Sequence, residues 1–132
     1  MEKILNLTQH TATPEQVAQG VVDLSPKGRK WLGEWLTFET LPTGVVIWER
    51  AEVVADIAAG DSMVVIETLG AGYSYAMIGG APFLMSSLES ALIARSITPL
   101  YAFSVRESTE QTQPDGTVRK VNTFRHAGWV QI

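Results

Sequence analysis

The sequence predicts an α/β fold: a three-layer sandwich whose sheet is mostly parallel and ends in a C-terminal antiparallel hairpin. Three observations predict it. Short apolar runs at Lys3–Thr8, Tyr73–Ile78 and Thr98–Val105 read as strands. Amphipathic stretches separate these runs, which calls for helical crossovers and therefore for parallel neighbours. Gln113-Pro114-Asp115-Gly116 is a turn signal leading into Thr117–Phe124, a β-branched segment that reads as a hairpin return.

The elements follow in order. After the first run, Thr13-Pro14-Glu15-Gln16 offers an N-cap, a proline at the first helical position and a glutamine three residues past the cap. Gly20 closes that helix. Ser25-Pro26 opens a second one, whose Trp31, Leu32, Trp35 and Leu36 share a face. Val45–Ala59 places Ile47, Ala51, Val54 and Ala58 on one side of a third helix, and Gly60 stops it. Between Asp61 and Gly72, Met63-Val64-Val65-Ile66 fits a strand or a helix equally well, and Gly70-Ala71-Gly72 reads as a bend. Gly79-Gly80-Ala81-Pro82 marks a strand-to-helix turn, and the helix beyond it, to about Arg95, carries Leu84, Leu88, Ala91 and Leu92 as a stripe. Thr98–Val105 is apolar on both alternating faces, as in a central strand covered on both sides. A last short strand is expected at Trp129–Ile132.

Length and composition suit a single domain over residues 1–132. The chain has 132 residues, 45% of them hydrophobic and 18% charged, with no cysteine. Charge content below the usual level leaves apolar surface, which points to a homodimer. A net charge of −4 and the absence of a basic run argue against duplex DNA. Without cysteine there are no disulfides, thiolate zinc sites or cysteine nucleophiles. The opening run is too short for a signal peptide and no long apolar stretch occurs, so no membrane segment and a cytoplasmic location are expected.

Chemistry should gather where the parallel strands deliver their carboxyl ends. Thr8, Gln9, His10 and Thr11 put hydroxyls, an amide and an imidazole on one loop, able to hold phosphate or to use His10 as a general base. The same side chains also suit plain capping of the helix at Pro14. Gly79 and Gly80 permit close approach by a ligand or by packed backbone. Ser104 and Arg106 stand beyond the central strand, and a guanidinium grips phosphate with a forked contact. Arg106 is equally placed to pair with Glu107 or Glu110, and Arg125-His126 suits an exposed edge that resists aggregation. Dinucleotide and Walker fingerprints are missing, so no cofactor is expected. The two histidines lie far apart without a metal-ligand spacing, so no metal is expected either. The tryptophans fit core or interface better than base stacking.

Ile4-Leu5-Asn6-Leu7-Thr8-Gln9-His10, then Thr13-Pro14-Glu15-Gln16, Gly79-Gly80-Ala81-Pro82-Phe83 and Pro99-Leu100-Tyr101-Ala102-Phe103-Ser104 resemble small Rossmann-like proteins of CRISPR systems, phages and prophages. These include CARF-like domains and ring nucleases. The resemblance implies binding of a cyclic oligonucleotide across a two-fold dimer and, in a catalytic member, metal-independent phosphodiester cleavage. Thr8, Gln9, His10, Gly79, Gly80 and Arg106 would then line the cleft, with His10 managing the proton and Arg106 stabilising the phosphorane. Two departures stand out: Asp61–Gly72 looks like an insertion, and no lysine stands near these loops in sequence. The competing expectation is a non-catalytic interaction or sequestering protein of phage or prophage origin.

Overall fold

The computed structural model describes residues 2–60 and 73–132 of the chain. Its elements run β1 (Ile4–Asn6), α1 (Pro14–Ala18), β2 (Val21–Val22), α2 (Pro26–Leu36), α3 (Gly44–Ala59), β3 (Tyr75–Met77), α4 (Pro82–Ala94), β4 (Thr98–Thr112) and β5 (Val118–Gln131). The fold is mixed α/β with a five-stranded sheet in the order β2-β1-β3-β4-β5. β1 pairs in parallel with both β2 and β3, β3 pairs in parallel with β4, and β4 and β5 are antiparallel. The readings of Asp61–Gly72, including the bend at Gly70-Ala71-Gly72, lie outside the described residues.

Local chemistry explains most helix boundaries. Thr13 Oγ1 accepts from Gln16 N at 3.2 Å while Thr13 N donates to Gln16 Oε1 at 3.0 Å, a reciprocal capping box. Ser25 and Thr43 cap α2 and α3 through the amides of Gly28 and Val46. α3 ends where Gly60 turns left-handed at φ 74°, a conformation that favours glycine.

One large core joins the sheet to three helices. Leu5, Leu7, Ala76 and Ile78 pack with Leu32 and Leu36 of α2, with Ala51, Val54, Ala55, Ile57 and Ala58 of α3, and with Leu84, Leu88, Ala91 and Leu92 of α4. Alternate strand residues form a second, smaller cluster: Ile4, Val21, Met77 and Leu100, backed by Ala12, Tyr75 and Trp129. Nothing from α1 is buried. The two sheet faces are thus covered very unequally.

Three boundaries depart from the sequence reading. Val21–Val22 forms a short edge strand, seen because it pairs with Ile4 and Leu5; two residues carry no periodicity of their own. β4 does not stop at Val105 but continues to Thr112, and β5 runs unbroken from Val118 to Gln131 instead of as two strands. The register shifts between Phe103 and Ser104, where Phe103 faces Gly128 and Ser104 faces His126, so Ala127 is the extra residue of a bulge. Gly128, at φ 149°, carries the chain through it. β4 lies between β3 and β5 as expected, but only its first residues are covered: Phe103 is 54% exposed and the strand beyond it stands out from the body. The apolar residues there signal an arm, not a core strand.

Candidate functional site

The site begins with a buried amide. Asn6, only 2% exposed, is the last residue of β1. Its Nδ2 donates to Asp23 Oδ1 at 2.8 Å and to the carbonyl of His10 at 2.7 Å. Its Oδ1 accepts from Thr8 N at 2.9 Å and Thr8 Oγ1 at 2.7 Å. The amide thereby uses both donors and both lone pairs, as a buried amide must. Asp23, just after β2, takes the amide of Ala12 at 3.1 Å. Asn6 and Asp23 together fold the Thr8–Thr11 loop back over the strand ends. Sequence reading missed both, although a polar residue interrupting an apolar run is the signal that could have found Asn6.

The loop meets the turn after β3. An added Cβ on Gly79 would lie 3.6 Å from Thr8 Cγ2, so the two segments already touch. Gly80 adopts φ 142°, a conformation that favours glycine. Between them opens a cleft of about 510 Å³ lined by Thr8, Gln9, His10, Thr11, Thr13 and Gln16 on one side, and by Gly79, Gly80, Ala81, Tyr101 and Ala102 on the other. The buried Leu36, Met77 and Ile78 also line it. No acidic side chain is among these lining residues. α4 starts beside the cleft at Pro82, and Ala81 gives it no side-chain cap, so first-turn amides of a 13-residue helix are directed to this end.

The sequence-derived site is therefore brought together in large part. Thr8, Gln9, His10, Thr11, Gly79 and Gly80 share the cleft, whereas Ser104 and Arg106 are not among its lining residues. Ser104 and Arg106 lie on the exposed arm, opposite His126 and Phe124. Arg106 is four residues past Ala102, about 13 Å along an extended strand. The Glu107 carboxylate pairs instead with Arg125, at 2.7 Å.

Two further features escaped sequence reading. Tyr101 lines the cleft and its hydroxyl donates to Glu89 Oε2 at 2.5 Å. Burial, and then the neighbouring carboxylate, push its pKa well above the ordinary phenol value. A second groove of about 660 Å³ adjoins the first at Gln9, lined also by Arg29, Lys30, Gly33, Glu34, Thr37, Glu39, Thr40 and Arg50. Lys30 and Arg29 thus lie near the first loop, contrary to the linear reading, because helix α2 carries them there. Arg50 is occupied: it donates to the carbonyls of Trp35 and Thr37 and stacks 4.4 Å from the Phe38 ring. Gln9 Nε2 donates to Thr37 Oγ1 at 3.1 Å, fastening the loop to the end of α2.

A family model described as the uncharacterized protein MJ1673 family matches residues 2–130. The chain belongs to that family. No curated protein and no solved structure matches it. Among the described residues, no helix is long and apolar enough to cross a membrane.

Proposed function

We propose that the cleft binds a small anionic nucleotide, with a cyclic oligonucleotide as the ligand class that the resemblance of the opening motif suggests. One observation carries this reading. The Thr8–Thr11 loop and the Gly79–Gly80 turn leave the carboxyl ends of β1 and β3, and β1–β3 is where the strand order β2-β1-β3-β4 reverses direction. In open α/β sheets that reversal is where ligands bind. Hydroxyls, an amide, an imidazole and helix N-terminal amides, with no lining carboxylate to repel charge, suit phosphate oxygens. The same reading takes the fold as Rossmann-like, with α1 and its loop a thin third layer over Ile4, Val21, Met77 and Leu100, and takes the protein as a cytoplasmic homodimer.

In the catalytic version of this reading the ligand's own 2′-hydroxyl attacks the adjacent phosphorus, His10 accepts its proton, and the leaving 5′-oxygen is protonated as the bond breaks. The products are a 2′,3′-cyclic phosphate and a free 5′-hydroxyl. A second reading, binding without cleavage, is favoured by one fact: no lysine or arginine is among the lining residues to stabilise a phosphorane. Titrating the protein with a panel of cyclic oligoadenylates, and following both heat of binding and product formation, separates the two. Binding with cleavage lost in His10→Ala supports catalysis, and binding without cleavage supports sequestration. No binding of any member refutes the ligand class.

A further inference from the structure

Among the described residues, β4 has no strand neighbour beyond Leu100 on the side where β3 began, and the strands from Ser104 to Arg125 pair only with each other. A two-stranded ribbon of that length is marginal in water by itself. Among the described residues both of its edges are without a strand, so its chemistry at each edge decides what can join it.

The edge of β4 can be read residue by residue. Thr98 N donates to Ser74 O at 2.8 Å and Leu100 O accepts from Ile78 N at 2.9 Å, so residues 98 and 100 direct their backbone groups toward β3. Backbone direction alternates along a strand, and the extra residue of the bulge is on β5, so Ser104, Arg106, Ser108, Glu110 and Thr112 direct theirs to the same, now open, side. These are the groups that need a partner.

We propose that a second copy of this chain fills that edge, β4 against β4, antiparallel about a two-fold axis at Ser108, so that Arg106 of each copy faces the partner's Glu110. The register follows from charge. Centring the axis on Arg106, Glu107 or Glu110 sets a like charge against itself, and centring it on Thr109 leaves Arg106 opposite the partner's Thr112. Centring it on Ser108 makes two opposite-charge pairs, sets serine against serine and Ser104 against the partner's Thr112. The pairing adds about ten backbone hydrogen bonds, two for each of the even-numbered pairs. The other edge is unsuited to a two-fold contact, since β5 carries Arg119, Lys120 and Arg125. A β4-to-β5 contact between copies would run on head to tail instead of closing. The result is a four-stranded antiparallel ribbon, β5-β4-β4-β5, in which the β4 edge of each copy is paired. In this register the partner's Pro114 lies opposite Ala102, a cleft-lining residue, so the partner's turn closes one side of the cleft.

This specifies the dimer of the proposed function and does not depend on the ligand. Sedimentation equilibrium at tens of micromolar protein, without ligand, tests it. The wild type should have the mass of a dimer, Arg106→Glu and Glu110→Arg should each have the mass of a monomer, and the double variant Arg106→Glu/Glu110→Arg should regain the dimer. Circular dichroism confirms that the single variants remain folded. Ser108→Cys, in a chain with no other cysteine, should form an inter-copy disulfide under mild oxidation, because facing Cα atoms in such a pair lie about 5.5 Å apart. Lys120→Cys, on the far strand, should not. A monomeric wild type overturns the inference together with the dimer. A dimer that persists in both single variants overturns this interface alone and moves the contact elsewhere, such as the exposed Leu41, Val45 and Trp48.

Discussion

Asn6 Nδ2 lies 2.8 Å from Asp23 Oδ1, and this one hydrogen bond ties the end of β1 to the segment leaving β2. It is the first link in a chain that runs through Ala12 and Thr8 to the His10 carbonyl. The shape of the cleft is set by this network as much as by the sheet.

Replacing Asn6 with alanine should therefore be costly for its size. The change leaves the Asp23 carboxylate, the Thr8 amide and the His10 carbonyl short of a partner in a semi-buried place. At roughly 1 kcal/mol for each hydrogen bond lost, stability should fall by about 2–4 kcal/mol. Urea denaturation measures it, and a loss under about 1 kcal/mol would show that water replaces the amide.

The adjacent glycines should answer differently to the same substitution. Gly79→Ala adds a Cβ at ordinary contact distance from Thr8 and no positive φ is involved, so stability should hardly change. Gly80→Ala forces alanine to φ 142°, which should cost about 1–3 kcal/mol. Equal effects of the two in thermal melts would mean that the turn relaxes to another conformation.

The sequence disclosed the helices almost completely and the arm as a hairpin without its full length, for physical reasons. Caps and stripes are local: Thr13 with Gln16, Pro82, Gly60, and Leu84, Leu88, Ala91 and Leu92 each act within a turn or two, so a linear reading finds them. The polar run Arg106–Thr112 lacks the alternation of a half-buried strand because neither of its faces is buried in the single chain, so the hairpin was legible from its turn at Pro114-Asp115-Gly116 while the full length of β4 was not. The cleft was found because strand polarity brings Thr8–Thr11 and Gly79–Gly80 to one edge whatever the details. Arg106 was expected there on the assumption that β4 ends at Val105; its continuation carries the guanidinium away. Asn6 reaches Asp23 across 17 residues, Tyr101 reaches Glu89 across 12, and helix α2 carries Lys30 to the loop, distances at which spacing says nothing.

Alkaline pH should weaken the fold through Tyr101. Its pKa is raised in the folded state, first by burial and then by Glu89, so the folded protein holds the phenolic proton more tightly than the unfolded chain. That contribution is complete below the ordinary phenol pKa near 10 and is lost as pH rises through the higher folded value. Tyr73 is raised in the same direction by burial and adds to the effect. Stability measured by denaturant from pH 8 upward should decline above about pH 10 in the wild type and more shallowly in Tyr101→Phe. Ultraviolet titration should show fewer than the three phenols ionising together. A single transition covering all three would deny Tyr101 its special environment.

His126 should hold the far wall of the cleft in place although it lies on β5. Helix α1 buries no residue of its own, so cohesion with the body must come from polar contacts and from Ala12 beside it. His126 supplies several: its backbone amide donates to Glu15 Oε2 at 3.1 Å, its Nε2 lies 2.9 Å from Gln19 Oε1, and its ring meets Trp129 edge-on at 4.7 Å. The side-chain contacts vanish in His126→Ala while the backbone bond to Glu15 can remain. Loss of one hydrogen bond and one aromatic contact should cost about 1–3 kcal/mol. Because Gln16 of α1 and its N-cap Thr13 line the cleft, the effect should be local as well as global. Hydrogen exchange should quicken in α1 and the Thr8–Thr11 loop while α3 and α4 keep their protection relative to each other. Exchange that rises evenly through all helices would mean that His126 serves the sheet as a whole and does not steady the cleft.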